Sequence, residues 1–194
     1  PTSVSLILAE LEMDEETVIA ALLHDTVEDT EVTLLDVEKA FGKEVALLVD
    51  GVTKLAVINY ETKQERQVEN LRKMFLAMAS DIRVILIKLA DRLHNIRTLG
   101  AMSPEKQKEK AEETIDIFAP IAHRLGIFRI KWELEDLSLK YLDPIGYKEL
   151  IRKVDKKRTE REFIINDYIA QIENALSDLG LDFEIYGRPK NFYS

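Results

Sequence analysis

The sequence contains no cysteine among its 194 residues. This absence excludes disulfide bonds, thiolate zinc sites and a cysteine nucleophile, and it is typical of a reducing compartment such as the cytoplasm. No apolar run reaches the ~18 residues that a membrane-spanning helix needs. The first residues also lack the basic segment of a signal peptide. We therefore expect a cytoplasmic protein that has no contact with a membrane.

The chain also has little positive charge for its size. Its 27 Lys and Arg residues stand against 36 Asp and Glu residues, which gives a formal net charge of −9. Such a balance argues against a general nucleic-acid-binding surface. A highly anionic small substrate would therefore need a local group of cations or a bound metal.

Helical periodicity dominates the sequence and predicts an all-α fold. Apolar residues recur at helical spacing from Val4 to Leu11, and this pattern continues with other segments along most of the chain. Thr33 and Asp36 form a helix start signal, and Gly42 is the expected end of that helix.

Other segments of the sequence predict breaks in this helical pattern. Residues 55–64 are expected to form a linker or flexible loop, and Pro120 is expected to kink or break its helix. Near the end of the chain, Phe183 and Ile185 alternate with polar residues, which predicts a short strand.

The pair His24–Asp25 is the first motif that indicates chemistry. One imidazole nitrogen and one carboxylate can bind the same divalent metal, and a distant Asp91 could complete the site. Mixed histidine and carboxylate ligation suits Mn²⁺ and also accepts iron or zinc. On a continuing helix, Glu28 would stack on His24 and Asp29 on Asp25, so both could move protons beside the metal.

The run VILIKLADRLHNIRTL predicts a buried helix that carries Asp91 to an interior site. Asp91, Asn95 and Thr98 follow each other at i, i+4 and i+7, and so lie on one face of that helix. A carboxylate, an amide and a hydroxyl on one face could contact successive parts of a nucleotide. His94 lies about 300° around the helix from Asp91 and so falls outside this face.

Each of these residues also has an ordinary structural interpretation. A His–Asp dipeptide alone is a weak signal for a metal site. Glu28 and Asp29 would also suit a solvated helix end, and Asn95 and Thr98 would suit a helix terminus at the surface. His123 is expected to support a helix end rather than to act in catalysis.

Four segments together resemble the RelA/SpoT family, the long bifunctional enzymes of guanosine tetra- and pentaphosphate metabolism. They are ALLHDTVEDT, GVTKL, IKLADRLHNIRTL and FAPIAHRLGIFRIKWELEDLSLKYL. The resemblance covers essentially the whole chain. It implies an all-helical hydrolase domain of the HD superfamily, followed by a helical connector and the start of an α/β synthetase domain. The implied boundaries are 1–140, 141–180 and 181–194.

The resemblance also assigns roles to individual residues. The implied reaction removes the 3′-pyrophosphate of (p)ppGpp with Mn²⁺ as cofactor, giving GDP or GTP and pyrophosphate. The implied metal ligands are His24, Asp25 and Asp91, the water-activating pair is Glu28 and Asp29, and the nucleotide contacts are Asn95 and Thr98. In the segment GRPKNFYS, the resemblance places Arg188, Lys190 and Ser194 at the ATP phosphates of an incomplete synthetase site.

One departure from the family pattern concerns the metal site. The family has a further histidine, in a His–Pro pair, at the helix where this sequence starts with Pro1. With only three ligands, these 194 residues are expected to bind metal weakly and to hydrolyse (p)ppGpp poorly. The partners expected for the chain are (p)ppGpp and downstream synthetase and regulatory domains.

Three alternatives stay open at this point. A regulatory domain of the same fold without hydrolase chemistry could control a synthetase, although the complete HDTVED segment argues against it. Another HD-superfamily phosphohydrolase could act on a different nucleotide. A purely structural helical bundle is the third alternative.

Overall fold

The computed structural model describes residues 1–56, 81–155, 158–177 and 183–187, and nearly all of them lie in helices. The all-α prediction for the main part of the chain is therefore confirmed. The α-helices are α1 (Thr2–Glu10), α2 (Glu15–Leu23), α3 (Thr26–Asp29), α4 (Leu34–Phe41), α5 (Lys43–Ala56), α6 (Ile82–Arg97), α7 (Pro104–Glu113), α8 (Ala119–Arg124), α9 (Phe128–Leu142), α10 (Pro144–Asp155) and α11 (Arg158–Ser177). A 3₁₀ turn (Leu99–Ala101) follows α6, and a π-helix (Thr114–Phe118) joins α7 to α8.

Helix α6 lies at the centre of the fold. It packs against α1, α2 and α5 on one side and against α9 on another. Its apolar residues recur at helical spacing and are buried at Val84, Ile85, Ile87, Leu89, Ala90, Leu93 and Ile96. Burial of this stripe holds the helix in place, because apolar area removed from water stabilises the packed state by roughly 25 cal/mol per Å². The same packing fixes the position of every polar side chain that α6 carries.

Short polar signals set the ends of several helices, as the sequence predicts. The Thr33 hydroxyl accepts a hydrogen bond from the Asp36 amide, and the Asp36 carboxylate accepts one from the Thr33 amide, which forms a capping box. Gly42, with φ +90°, ends α4, and Gly126, with φ +74°, follows α8. Such positive φ values favour glycine because it has no Cβ.

The chain around Pro120 differs from the predicted break. The helix continues through Pro120, and the irregularity lies just before it, in the π-helix Thr114–Phe118. There the Ala119 amide donates to the Thr114 carbonyl oxygen, one residue beyond the α-helical partner. A proline has no amide hydrogen to donate, and a wider turn before it relieves the clash of its ring with the preceding turn.

The predicted strand near the end of the chain is wrong for the residues that the structure describes. Residues 183–187, which include Phe183 and Ile185, form no regular secondary structure. A strand needs a partner strand for its backbone hydrogen bonds, and the described segments contain none. Of the predicted 55–64 linker, residues 55 and 56 belong to α5, and the remainder lies outside the described residues. Among the described helices, none is both long enough and apolar enough to cross a membrane.

Candidate functional site around His24 and Asp91

His24 lies directly after α2, and its side chain is only 2% exposed. Its Nδ1 lies 2.8 Å from the carbonyl oxygen of Ala21. A carbonyl oxygen can only accept, so Nδ1 carries the hydrogen and donates it. In the neutral imidazole, the form that binds a metal, Nε2 is then the nitrogen that offers a lone pair. A backbone carbonyl that holds one ring nitrogen in this way is the usual arrangement behind a metal-binding histidine.

Two carboxylates approach His24 Nε2 from different elements. Asp25 Oδ1 lies 3.0 Å from Nε2, and Asp91 Oδ1, on α6, lies 3.9 Å from it. Oxygen and nitrogen ligands about 2.1 Å from one ion are about 3.0 Å apart at neighbouring octahedral positions and about 3.5 Å apart in a tetrahedron. The donor types suit a divalent cation. The 3.0 Å between His24 and Asp25 matches the octahedral spacing, while the 3.9 Å between His24 and Asp91 is longer than either spacing.

The site as it stands is not closed around an ion position. Within the described segments, no group of three or more His, Asp or Glu side chains is arranged to hold a metal. Asp91 also has a cation beside its other oxygen, since its Oδ2 lies 3.1 Å from Lys88 Nζ. The donor types therefore suit a divalent cation, but in this structure His24, Asp25 and Asp91 are not arranged as a ligand set.

Asp91 is held on both sides by its own helix. Asn95, one turn later, donates from Nδ2 to Asp91 Oδ1 over 2.9 Å, while Lys88, one turn earlier, pairs with Oδ2. These contacts fix the plane of a carboxylate that is only 16% exposed. Sequence reasoning missed Lys88, although its i, i+3 spacing from Asp91 places it on the same helix face.

Glu28 and Asp29 lie on the single turn of α3, directly after His24 and Asp25. The Asp29 amide donates to the Asp25 carbonyl oxygen over 2.9 Å, so the helical path continues as the predicted stacking requires. Glu28 is exposed as a residue, yet partial desolvation of its carboxyl raises its pKa, and the neighbouring Asp25 and Asp29 carboxylates add to this. Lys88 and His24 act in the opposite direction.

Asn95 and Thr98 lie near the exposed end of α6, as predicted for one face of the helix. The Thr98 hydroxyl donates to the His94 carbonyl oxygen over 3.1 Å, and the Asn95 carbonyl oxygen lies 3.3 Å away. Because a hydroxyl has one hydrogen and two lone pairs, Thr98 keeps the capacity to accept a hydrogen bond from a ligand.

The other predicted residues are not gathered at this site. His123 lies at the end of α8, exposed, with its ring 5.7 Å from the Phe128 ring in an edge-on contact, in keeping with a helix-end role. The predicted ATP-phosphate residues Arg188, Lys190 and Ser194 lie outside the described residues.

A helical fold that brings His24 and Asp25, directly after α2, close to Asp91, within α6, defines the class of protein. The model of the HD domain family matches residues 1–128. The chain belongs to the HD domain family. Hydrolases of this family are metal-dependent, which agrees with the donor groups found around His24.

Comparison with curated proteins narrows the class further. The chain is 53% identical to a Synechocystis protein named probable guanosine-3′,5′-bis(diphosphate) 3′-pyrophosphohydrolase, over all of this chain and 26% of that protein. It is 49% identical to the bifunctional (p)ppGpp synthase/hydrolase SpoT of Escherichia coli K12, over all of this chain and 28% of that protein. A Myxococcus xanthus GTP pyrophosphokinase is 51% identical, with 26% of its length covered.

These matches confirm the RelA/SpoT resemblance. The chain spans about a quarter of the length of the curated relatives it matches. Relatives named for hydrolysis and a relative named for synthesis match it about equally well.

Proposed function

We propose that this chain is a hydrolase domain that removes the 3′-pyrophosphate of (p)ppGpp, giving GDP or GTP and pyrophosphate. The observation that carries the proposal is the position of His24. Its Nδ1 donates to the Ala21 carbonyl oxygen, and its Nε2 faces the carboxylates of Asp25 and Asp91. The names of the relatives supply the substrate class, since several are called 3′-pyrophosphohydrolases of this nucleotide.

In this proposal, His24, Asp25 and Asp91 would hold Mn²⁺. When bound, such an ion polarises phosphoryl oxygens and lowers the pKa of a water ligand. The donor set of one imidazole and two carboxylates suits Mn²⁺ better than a structural zinc site. Asn95 keeps Asp91 oriented, as its 2.9 Å hydrogen bond shows for the described structure.

The remaining residues act on the proton and the nucleotide. Glu28 and Asp29 take the proton of the attacking water, whose oxygen bonds to the phosphorus attached to the ribose 3′ oxygen. The bond between that phosphorus and the 3′ oxygen breaks, and the 3′ oxygen receives a proton. A carboxyl whose pKa is raised, such as that of Glu28, is suited to both proton steps. Asn95 and Thr98 orient the nucleoside from the exposed end of α6.

The decisive experiment measures ppGpp hydrolysis by the full-length protein and by the variants Asp25→Asn and Asp91→Asn. Each variant removes one negative charge from the site while it keeps the shape of the side chain. We expect each to lose on the order of 100-fold or more in kcat/KM, because metal activation of water contributes several kcal/mol. Assays with Mn²⁺, Mg²⁺, Zn²⁺ and Fe²⁺ are expected to give the highest rate with Mn²⁺.

Asp167→Asn is a matched control, because Asp167 is an exposed aspartate on α11 that accepts a hydrogen bond from Gln171. It should hydrolyse ppGpp at the wild-type rate. Wild-type hydrolysis by Asp91→Asn would overturn the proposal. It would favour instead a regulatory domain that controls a synthetase, a function that the GTP pyrophosphokinase among the relatives makes the second candidate.

We also propose that residues 141–180 connect this domain to a synthetase domain that starts within 181–194, where Arg188, Lys190 and Ser194 would contact ATP. Partner domains of this kind fit a relative named as a bifunctional synthase/hydrolase. We expect the protein in the cytoplasm. Cell fractionation tests the location, and loss of ATP-dependent ppGpp synthesis in Arg188→Ala full-length protein tests the synthetase contact.

A further inference from the structure

Lys88 places a positive charge inside the acidic site. It lies on α6, one turn before Asp91, and its Nζ lies 3.1 Å from Asp91 Oδ2. The Lys88 side chain is only 22% exposed, so most of its length is packed against the protein. An ion pair on an open helix surface would leave the lysine far more exposed, as Lys54 is in its pair with Asp50, at 73%.

The charge of Lys88 also affects a carboxyl group on the neighbouring helix α3. Its charge lowers the pKa of the Glu28 carboxyl on α3, against the desolvation that raises it. The charge of Lys88 therefore bears on both α6 and α3. Those two elements carry the proposed metal ligand Asp91 and the proposed proton carrier Glu28.

The pairing of Lys88 with Asp91 conflicts with the proposed role of Asp91. A divalent cation bound by Asp91 would repel the ammonium, because two like charges a few ångströms apart raise each other's energy. The ammonium of a side chain that is only 22% exposed is then left without its partner, which is costly unless another anion replaces it. The anion expected at this position is a phosphoryl oxygen of the substrate.

We propose that Lys88 is a substrate-binding residue that contacts the 3′-diphosphate of the nucleotide and the pyrophosphate that leaves. This inference rests on the proposed hydrolase function. It assigns the positive charge that a highly anionic substrate needs in a chain whose net charge is −9. An ammonium is a compact donor of three hydrogens, which suits phosphate oxygens.

A purely structural role makes the opposite prediction. If Lys88 only neutralises Asp91, Lys88→Gln frees that carboxylate, and Mn²⁺ binding tightens. At saturating Mn²⁺, hydrolysis then stays equal to wild type or rises. If Lys88 binds phosphate, hydrolysis and pyrophosphate binding both weaken even when the metal is saturating.

The experiment uses the full-length protein and two ligands measured separately. Mn²⁺ binding is followed by electron paramagnetic resonance, and inorganic pyrophosphate binding by calorimetry at saturating Mn²⁺. For Lys88→Gln we expect an about 10- to 100-fold weaker pyrophosphate affinity and a similar loss of kcat/KM on ppGpp, the usual effect of removing a charge-assisted hydrogen bond. Lys88→Arg keeps the charge and should recover most of the pyrophosphate affinity.

Lys153→Gln is the matched control, because Lys153 pairs with Glu149 on the exposed face of α10 and should leave both ligands unaffected. Circular dichroism checks that each variant is folded, and Lys88→Met, which keeps the aliphatic stem, replaces Lys88→Gln if that variant fails the check. A pyrophosphate affinity within twofold of wild type in a folded Lys88 variant overturns the inference.

The outcomes separate this inference from the proposed function. If wild type hydrolyses ppGpp and the Lys88 variants do so equally well, only the role of Lys88 fails. If wild type binds pyrophosphate through Lys88 but does not hydrolyse ppGpp, the anion site stands and the proposed reaction fails. Pyrophosphate binding that is absent from wild type at saturating Mn²⁺ overturns the anion site.

Discussion

Arg92 joins the helix of the functional site to the second half of the fold. Its Nη2 lies 3.0 Å from Glu113 Oε2 at the end of α7, and the two side chains are only 13% and 21% exposed. Its guanidinium carbon lies 4.1 Å from the centre of the Phe118 ring, in the π-helix. We predict that Arg92→Met, which keeps the aliphatic part of the side chain and removes its charge, destabilises the protein substantially.

The magnitude follows from what the substitution leaves behind. Removing one member of a buried ion pair costs about 3–5 kcal/mol, because the other charge stays desolvated without its partner. Here Lys110 Nζ remains 3.3 Å from Glu113 Oε2, and some water reaches the pair. We therefore expect a loss of about 2–3 kcal/mol in the free energy of unfolding. This includes roughly 0.5–2 kcal/mol from the lost contact with the Phe118 ring.

Urea denaturation followed by circular dichroism measures this loss. The double variant Arg92→Met with Glu113→Met should recover most of it, because an apolar pair leaves no buried charge. Arg129→Met is the control: Arg129 pairs with Glu10 at 66% and 50% exposure, and its removal should cost less than about 1 kcal/mol. A loss for Arg92→Met no larger than for Arg129→Met, or a double variant that is no more stable than Arg92→Met, would refute the reasoning.

Three further predictions concern helix contacts and ends. In Gly51→Ala the new Cβ would lie 2.7 Å from Val84 Cγ2. We expect the free energy of unfolding to fall by about 1 kcal/mol, because overpacking costs ~1–3 kcal/mol and the better helix propensity of alanine returns only ~1 kcal/mol. Urea titrations should show that adding Val84→Ala removes the cost of overpacking. Burial raises the pKa of Glu113, but the nearby Arg92 and Lys110 lower it further, so this pKa lies below its usual 4.5. The stability that the ionised Glu113 carboxylate contributes is therefore complete above pH 4.5 and is lost as the pH falls through the lowered pKa. In Glu113→Gln, the free energy of unfolding should consequently depend less on pH in that acid range. Thr33→Ala removes the hydroxyl that caps α4 and should cost about 1 kcal/mol in thermal unfolding, whereas an unchanged midpoint would contradict the role of its bond to Asp36.

Much of the helical architecture could be predicted because its signals are local. The Thr33–Asp36 capping box and the stop at Gly42 depend on residues within one turn of each other, and both occur where the sequence places them. Gly126, whose φ is also positive, likewise follows the end of α8. The predicted strand at Phe183 and Ile185 was wrong for the described residues, because a strand is stabilised by a partner that a local pattern does not specify.

At the candidate functional site, too, the residue types could be predicted from the sequence, whereas their arrangement in space could not. The residue types in the HDTVED segment and at Asp91 predict the proposed metal site through family resemblance alone. Their mutual distances cannot be predicted that way. The 3.9 Å between His24 Nε2 and Asp91 Oδ1 arises because α6 packs beside α2, far along the chain. The sequence also does not reveal the Ala21 carbonyl that sets which nitrogen of His24 is free.

By itself, the sequence determined the helical class, the two ends of α4 and the identity of the proposed ligands, because these depend on contacts within about four residues or on a recognisable motif. Only the tertiary structure decided that Asp91 is held between Lys88 and Asn95 and faces His24 from another helix. The physical reason is that packing of the buried α6 stripe sets both the rotation of that helix and the neighbours of each polar group it carries.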